Sequence, residues 1–303
     1  MYDIIVVGGG PAGLTAALYA LRAGKSVLVI EKSTFGGQIT WSPKVENYPA
    51  IPSVSGTELG DRLMAQAEAQ GAEFELDEVI SVELDGDVKR VKTDFGGEFE
   101  AKALIIAVGA KPRMLGLERE EELVGNGVCF CAVCDGAFYK NRPVAVSGGG
   151  NSALQDAVLL SDTCSKVYLI HRRATFRGEA KLVETLRSKN NVEFVLESSV
   201  TVLHGGNELS GIRVTNKDGA SRDISVDGLF VAVGHAPDNS VFAQLMELDE
   251  AGYAASDESC LTKTRGVFVA GDCRRKAVRQ LTTAAADGSA AALAACSYID
   301  NMG

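Results

Sequence analysis

The segment of this chain best equipped for chemistry is Cys131-Ala132-Val133-Cys134-Asp135. Two thiols at C-x-x-C spacing can close into a disulfide and reopen, storing two electrons, or can supply half of a tetrahedral zinc site. Zinc would need two further thiolates or imidazoles at suitable spacing. Histidine occurs only at His171, His204 and His235, and none pairs at short spacing with another ligand-type residue. The redox reading is therefore preferred, and no metal is expected. A helix that begins at such a pair lowers a thiol pKa through its N-terminal dipole and the neighbouring sulfur, favouring the thiolate that exchange requires. Asp135 stands where a carboxyl could give or take the dithiol's proton; its plainer reading is an acid at a helix terminus.

A dithiol must be supplied with electrons, and two glycine-rich segments flank this one. Tyr2–Val7 reads as a buried strand, Gly8-Gly9-Gly10-Pro11-Ala12-Gly13 turns it into a helix reaching about Ala23, and residues 26–30 form the next strand. In that βαβ context G-x-G-x-x-G is a dinucleotide fingerprint. Its glycines permit a tight turn and close backbone approach, and a pyrophosphate rests on the helix N-terminus. Glu31 follows Gly13 by 18 residues, where a carboxylate accepts from a ribose hydroxyl and repels a 2′-phosphate.

The second segment repeats the first with one change. Residues 143–147 read as a strand, Gly148-Gly149-Gly150-Asn151-Ser152-Ala153 opens a helix, and residues 167–170 form the next strand. Ala153 plus 18 is position 171, so His171-Arg172-Arg173 stands in the place of Glu31, with Arg177 close behind. Arginine forks suit a 2′-phosphate, which points to NADPH rather than NADH; the alternative is a solvated basic strand end.

Around these motifs both halves keep one order. After the first fingerprint come a helix over 57–70, strands over 79–93 turning at Asp85-Gly86, a third strand near Phe99, and the apolar run 103–108 ending at Gly109-Ala110. After the second come a hairpin over 200–203 and 209–215, a turn at Asp218-Gly219, and an apolar strand over 228–233. The order implies an internal duplication. A last short strand over 266–270 leads to Gly271-Asp272, an acid suited to a ribityl or pyrophosphate contact, and an alanine-rich helix covers 282–299. The expected fold is α/β, two Rossmann-like nucleotide-binding domains of three β/β/α layers, the second inserted into the first. The expected bounds are 1–114 with 244–303, and 115–243.

The chain's 303 residues suffice for two cores, and 46% apolar with 23% charged residues is ordinary for a soluble protein. A formal charge of −10 argues against nucleic acid or an anionic membrane as partner. No apolar run approaches the roughly 20 residues of a membrane helix. The first strand begins too early for a signal peptide. Seven scattered cysteines (positions 129, 131, 134, 164, 260, 273 and 296) do not form a secreted disulfide framework, so a reducing, cytoplasmic setting is expected.

In these residues the chain closely resembles the low-molecular-weight thioredoxin reductases, over nearly its whole length. The matching positions are Gly8 to Gly13, Glu31, Gly36-Gly37-Gln38, Glu46-Asn47-Tyr48-Pro49, Gly109-Ala110 and Cys131 to Gly136, then Gly148 to Ala153, His171-Arg172-Arg173 with Arg177, Gly271-Asp272 and Arg279-Gln280. The resemblance implies FAD on the first domain, NADPH on the inserted one, and a homodimer through the FAD domains. It places Gln38, Asn47, Asp272, Arg279 and Gln280 against FAD, and the expected FAD set also takes in Lys32, Gly37, Gly109, Gly271 and Leu281. It gives Cys134 the flavin-facing role and Cys131 the attack on thioredoxin through a mixed disulfide. It further implies that the inserted domain swivels to present nicotinamide and disulfide to the flavin in turn. Val133 and Cys129 depart from the usual threonine and serine. Cys129 shares an extended face with Cys131 and is either a competing thiol or a packing residue.

Other readings remain at this point. A ferredoxin–NADP reductase on the same two domains would lack the cysteine pair. A related reductase fed by ferredoxin would have lost the arginines, and an FAD-dependent dithiol oxidase would have little use for them. A non-enzymatic flavin redox sensor would keep every motif.

Overall fold

Short apolar runs rich in valine and isoleucine, several of them leading into glycine, form the central strands of two parallel sheets. The computed structural model describes residues 1–302 and divides the chain into two units: Met1–Lys111 with the chain from Ala236 onward, and Pro112–His235.

The chain opens with β1 (Tyr2–Val7), α1 (Pro11–Arg22), β2 (Val27–Glu31), α2 (Gly56–Glu68) and β3 (Glu73–Leu76). A meander follows, β4 (Val79–Asp85), β5 (Val88–Thr93) and β6 (Glu98–Ile106), and β7 (Ala110–Pro112) leads out. The sheet order is β3-β2-β1-β6-β5-β4. The strand near Phe99 and the apolar run after it are one continuous strand. The first half of β6 pairs antiparallel with β5, from Lys92↔Glu98 to Lys89↔Ala101, and its second half runs parallel to β1, from Ile4↔Ala103 to Val7↔Ile106. One strand thus serves both β layers.

The inserted unit repeats this plan. It holds β8 (Val128–Cys129), α3 (Ala132–Asp135), β9 (Pro143–Gly148), α4 (Asn151–Ser161), β10 (Lys166–His171), α5 (Ala180–Arg187) and β11 (Val192–Leu196). Then come β12 (Ser198–Gly205), β13 (Leu209–Asn216), β14 (Ser221–Ile224), β15 (Gly228–Ala232) and β16 (His235–Pro237) at the exit. Its parallel sheet is ordered β11-β10-β9-β15-β8 and its second layer β12-β13-β14. The expected hairpin is therefore a three-stranded meander. In β14 only Ile224 is buried, so its sequence carries no apolar alternation.

On its return the chain adds β17 (Val267–Val269), parallel to Leu104–Ile106 of β6, and α6 (Leu281–Asp300). In the first unit Ala16, Ala20, Ala291 and Ala295 pack the helical layer on one face of the sheet, while Val82, Val91, Phe242 and Met246 fill the meander side. A Cβ on Gly288 of α6 would stand 2.2 Å from the Ala12 carbonyl oxygen, so α6 crosses the start of α1 at a distance only glycine allows. In the inserted unit Leu154, Ala157 and Leu160 of α4 pack on Val144 and Val146 of β9. Among the described residues no helix is long and apolar enough to cross a membrane.

Candidate active site

Cys131 and Cys134 are joined as a disulfide, with Cα atoms 5.3 Å apart. Cys131 is the N-cap of α3, and its Sγ accepts a hydrogen bond from the Cys134 N–H at 3.1 Å. That donor would stabilise a thiolate there after reduction. Both cysteines are half-buried, and the Val133 side chain between them is 60% exposed. Asp135 is half-buried, and burial lifts its carboxyl to about 6. It is therefore a neutral acid below that pH and a base above it, within range of proton transfer at neutrality.

Cys129 is only 4% exposed, its Sγ is 3.3 Å from the Tyr139 hydroxyl, and burial with the nearby Asp135 charge pushes its thiol to about 12. A thiol so held is not an exchange nucleophile; it is a packing residue. Sequence spacing gave no sign of Asp156, a half-buried acid on α4, the helix on which the redox turn packs, whose carboxyl is lifted by burial to about 6. A lone acid among helical residues reads as solvated surface, and only the docking of α3 on α4 reveals it.

The first fingerprint forms an open cradle. A Cβ on Gly13 would meet the Gly8 carbonyl oxygen at 1.8 Å, and Gly8 itself has φ +108° and no room beside Ala107. Gly10 is the N-cap of α1, ahead of Pro11 and the buried Ala12. No side chain caps that helix and no acid lies in its first turn. A Cβ at Gly10 would find nothing closer than 4.0 Å, so the space before the helix is clear. Glu31 accepts from the Gly9 N–H at 2.7 Å and the Ser33 N–H at 2.9 Å, which turns its carboxylate toward the loop.

Other expected FAD residues gather in the same unit. Gly37, at φ +64°, approaches Gly10 so closely that a Cβ would lie 3.1 Å from the Gly10 Cα. Gln38 Nε2 donates to the Ala110 carbonyl at 3.0 Å, next to Gly109 at φ +68°. Asn47 Nδ2 lies 3.5 Å from Gln280 Oε1, and Leu281 begins α6. Arg279 stacks over Tyr253, its guanidinium carbon 4.2 Å from the ring centre, with Nε 3.5 Å from the Asp272 carbonyl. Gly271 donates to Asp287 Oδ2 at 2.9 Å. Asp272 Oδ1 is buried without a hydrogen-bond partner, and burial pushes its carboxyl up. Lys32 is held by Glu78 at 3.0 Å and Asp238 at 2.5 Å. The glycine cradle, the uncapped α1 and the orphaned Asp272 oxygen together fit a dinucleotide with a ribityl hydroxyl to donate.

The second cradle has the same build with opposite charge. Gly150 is the N-cap of α4, and a Cβ there would meet nothing within 4 Å. Asn151 Oδ1 accepts from the Glu179 N–H at 2.8 Å, tying the loop after β10 to the helix start, beside exposed Ser152. His171 is 5% exposed, stacked on Phe176 at 5.3 Å, and its Nε2 has no partner. Burial first, then the neighbouring arginines, hold its pKa below the ordinary value. Arg172, Arg173 and Arg177 are exposed, and among the described residues no carboxylate pairs with them. Unpaired guanidinium groups beside an open helix start fit a phosphorylated nucleotide.

The pyridine nucleotide-disulphide oxidoreductase family model matches residues 2–288, and the chain belongs to that family. It is 40% identical to the thioredoxin reductase of Listeria monocytogenes, over 100% of this chain and 95% of that one. It is 39% identical to the bifunctional thioredoxin reductase/thioredoxin of Mycobacterium leprae, over 97% of this chain and 65% of that protein. The crystal structure of thioredoxin reductase from Streptococcus pyogenes matches with a TM-score of 0.94 at 37% identity, covering 100% of this chain and 99% of that one.

Gly10→Leu should purify largely depleted of FAD, because its side chain would fill the pyrophosphate space, and Glu31→Ala should show a smaller loss. Flavin-to-protein absorbance ratios measure both, and full flavin in both variants would mean that the cofactor binds elsewhere.

Proposed function

We infer that this chain is an NADPH-dependent thioredoxin-disulfide reductase, passing two electrons from NADPH by way of FAD to the Cys131–Cys134 disulfide and on to the disulfide of thioredoxin. The observation that carries this reading is a half-buried redox disulfide on the same unit as three exposed arginines that lack carboxylate partners. FAD belongs on the unit formed by Met1–Lys111 and the returning chain, NADPH on Pro112–His235. Bound FAD supplies a two-electron relay between hydride and disulfide.

The chain's own residues do the rest. Glu31 and the α1 N-terminus hold ribose and pyrophosphate of FAD; Gln38, Asn47, Asp272, Arg279 and Gln280 complete its site. Gly150, Asn151, Ser152 and His171 seat NADPH, and Arg172, Arg173 and Arg177 select its 2′-phosphate. Reduction breaks the S–S bond with two electrons, and Asp135 handles the dithiol proton. The Cys131 thiolate then attacks one sulfur of the thioredoxin disulfide, expelling the other as a thiolate. Cys134 next attacks Cys131 in the mixed disulfide, which re-forms the enzyme disulfide and releases reduced thioredoxin. The protein works as a cytoplasmic homodimer joined through its FAD units.

Anaerobic titration of the yellow holoprotein tests the whole reading. NADPH should bleach the flavin band at concentrations where NADH does not, and oxidised thioredoxin should restore it. Bleaching only by reduced ferredoxin, or only by substrate dithiols with oxygen as acceptor, would replace the reading with the ferredoxin-fed or oxidase alternative. No turnover with any donor would leave a redox sensor.

A further inference from the structure

The chain between β17 and α6 has little regular structure, a short turn at Gly271–Cys273, yet it carries Gly271, Asp272, Arg279 and Gln280 of the expected FAD site. One side chain of α6 gathers it. The Asp287 carboxylate takes four N–H donors from three residues of this segment. Its Oδ2 accepts from the Gly271 N–H at 2.9 Å, Arg274 Nε at 2.8 Å and Lys276 Nζ at 2.8 Å, and its Oδ1 accepts from Arg274 Nη2 at 2.7 Å. Lys276 also donates to the Thr283 carbonyl at 3.2 Å, one turn earlier on the same helix. Arg274, Lys276 and Asp287 are all buried, whereas Glu258, the other acid on Arg274, is exposed.

Stability alone is a weak reason for such a cluster, because desolvating buried ions offsets most of their attraction and apolar side chains of similar volume often serve as well. What the cluster supplies is position. Gly288, next to Asp287 on α6, is the glycine whose Cβ would lie 2.2 Å from the Ala12 carbonyl oxygen. Gly271, which Asp287 holds, has φ +79°, and a Cβ there would lie 2.8 Å from the Ala12 Cβ. The start of α1, the segment after β17 and α6 therefore meet at Ala12, inside the first fingerprint. Asp272 follows Gly271 directly, with its buried Oδ1 unpartnered.

We propose that Asp287 is a positioning residue for the FAD site: by gathering the Gly271 N–H, the Arg274 fork and the Lys276 ammonium it fixes the segment that carries Asp272, and so keeps the free Asp272 oxygen ready to accept from the cofactor. The proposal rests on the reading that FAD occupies this unit and meets Asp272. Two of the three anchors, Gly271 and Arg274, lie within two residues of Asp272 on either side, and the Arg274 fork is bidentate, the geometry that best fixes orientation. A segment already fixed loses no further freedom when a ligand binds, so the clamp acts on FAD affinity. Without Asp287 the segment would have to order itself around the cofactor, and the same Asp272 contact would return less.

The test is a double-mutant cycle on FAD affinity in the full-length protein, with free flavin in an ultrafiltrate giving Kd. Asp272→Asn should raise Kd by about tenfold or more, the loss of a charged acceptor. Asp287→Asn should raise it by about tenfold as well. Added to Asp272→Asn, however, Asp287→Asn should raise Kd by less than about threefold more, because its effect passes through a contact already lost; independent residues would multiply to about a hundredfold. Lys276→Met removes one anchor and leaves the Arg274 pair, so it carries the test if Asp287→Asn does not fold. It should weaken FAD by about threefold and lose that effect in the Asp272→Asn background. Parent-like affinity in a folded Asp287→Asn or Lys276→Met protein overturns the proposal, as do single effects that simply multiply. Parent-like affinity in Asp272→Asn overturns it together with the assignment of Asp272 to FAD. Neither NADPH nor thioredoxin takes part, so each of these results is separate from the titration that tests the reductase reading.

Discussion

Replacing Cys131 by serine will leave NADPH-driven flavin bleaching intact and cut transfer to thioredoxin by on the order of a thousandfold or more, because the exchange nucleophile itself is deleted. The fold should tolerate the change. Cys131 is the N-cap of α3, and its sulfur accepts the Cys134 N–H at 3.1 Å; a serine oxygen is a better cap than sulfur. Cys134→Ser should also stop turnover, but by a different route. Cys131 can still attack a partner disulfide, no resolving thiol remains, and a covalent mixed disulfide with thioredoxin accumulates. Non-reducing electrophoresis after mixing with oxidised thioredoxin separates the two outcomes. Cys129→Ser should be nearly silent, since the hydroxyl can keep the contact that Sγ makes with Tyr139 at 3.3 Å. If Cys131→Ser still reduced thioredoxin while Cys129→Ser did not, the active pair would be 129 with 134 and the C-x-x-C reading would fail.

The chemistry of this chain lies close to its sequence because glycine and arginine have few structural reasons to recur at these spacings. Gly8, Gly10 and Gly13 are glycines for three different reasons: left-handed backbone, open ground before α1, and contact with a carbonyl at a distance no Cβ permits. Each reason is a property of a dinucleotide cradle, so the motif foretells the geometry. The central strands β1, β9 and β15 were legible in the same way, being apolar runs that lead into glycine, whereas the mixed first half of β6 hid that it is one strand with the apolar run after it. What escaped were elements whose side chains lack a pattern. β3 buries none of its four residues at a sheet edge, β14 buries only Ile224, and α5 buries only Leu186. Asp156 escaped for a deeper reason: it is half-buried on α4, the helix on which α3 packs, and no periodicity marks it. Cys129 shows the converse. Sequence put it on the same face as Cys131, and only burial against Tyr139 decided between nucleophile and filler.

Neutralising Arg172, Arg173 and Arg177 should raise KM for NADPH by about tenfold or more for each arginine that touches the 2′-phosphate, and leave KM for NADH little changed. The two cradles supply an internal control for this expectation. Glu31 and His171 occupy equivalent ends of β2 and β10, and each packs against the middle glycine of its own fingerprint: a Cβ on Gly9 would lie 3.0 Å from the Glu31 Cβ, and one on Gly149 would lie 2.1 Å from the His171 ring. The backbone frame is shared, and the charge beside it is opposite. An acid accepts ribose hydroxyls and repels phosphate; exposed guanidinium groups without carboxylate partners attract it. Because the arginines are exposed, their attraction for phosphate should weaken with salt, so KM for NADPH should climb with ionic strength more steeply in the parent than in the triple variant. Flavin content should be unaltered, since the arginines belong to the unit Pro112–His235 and Glu31 to the other. Steady-state KM values for both nucleotides at two salt concentrations decide the matter, and a parent enzyme that binds NADPH and NADH equally well would show that these arginines form a solvated strand end and nothing more.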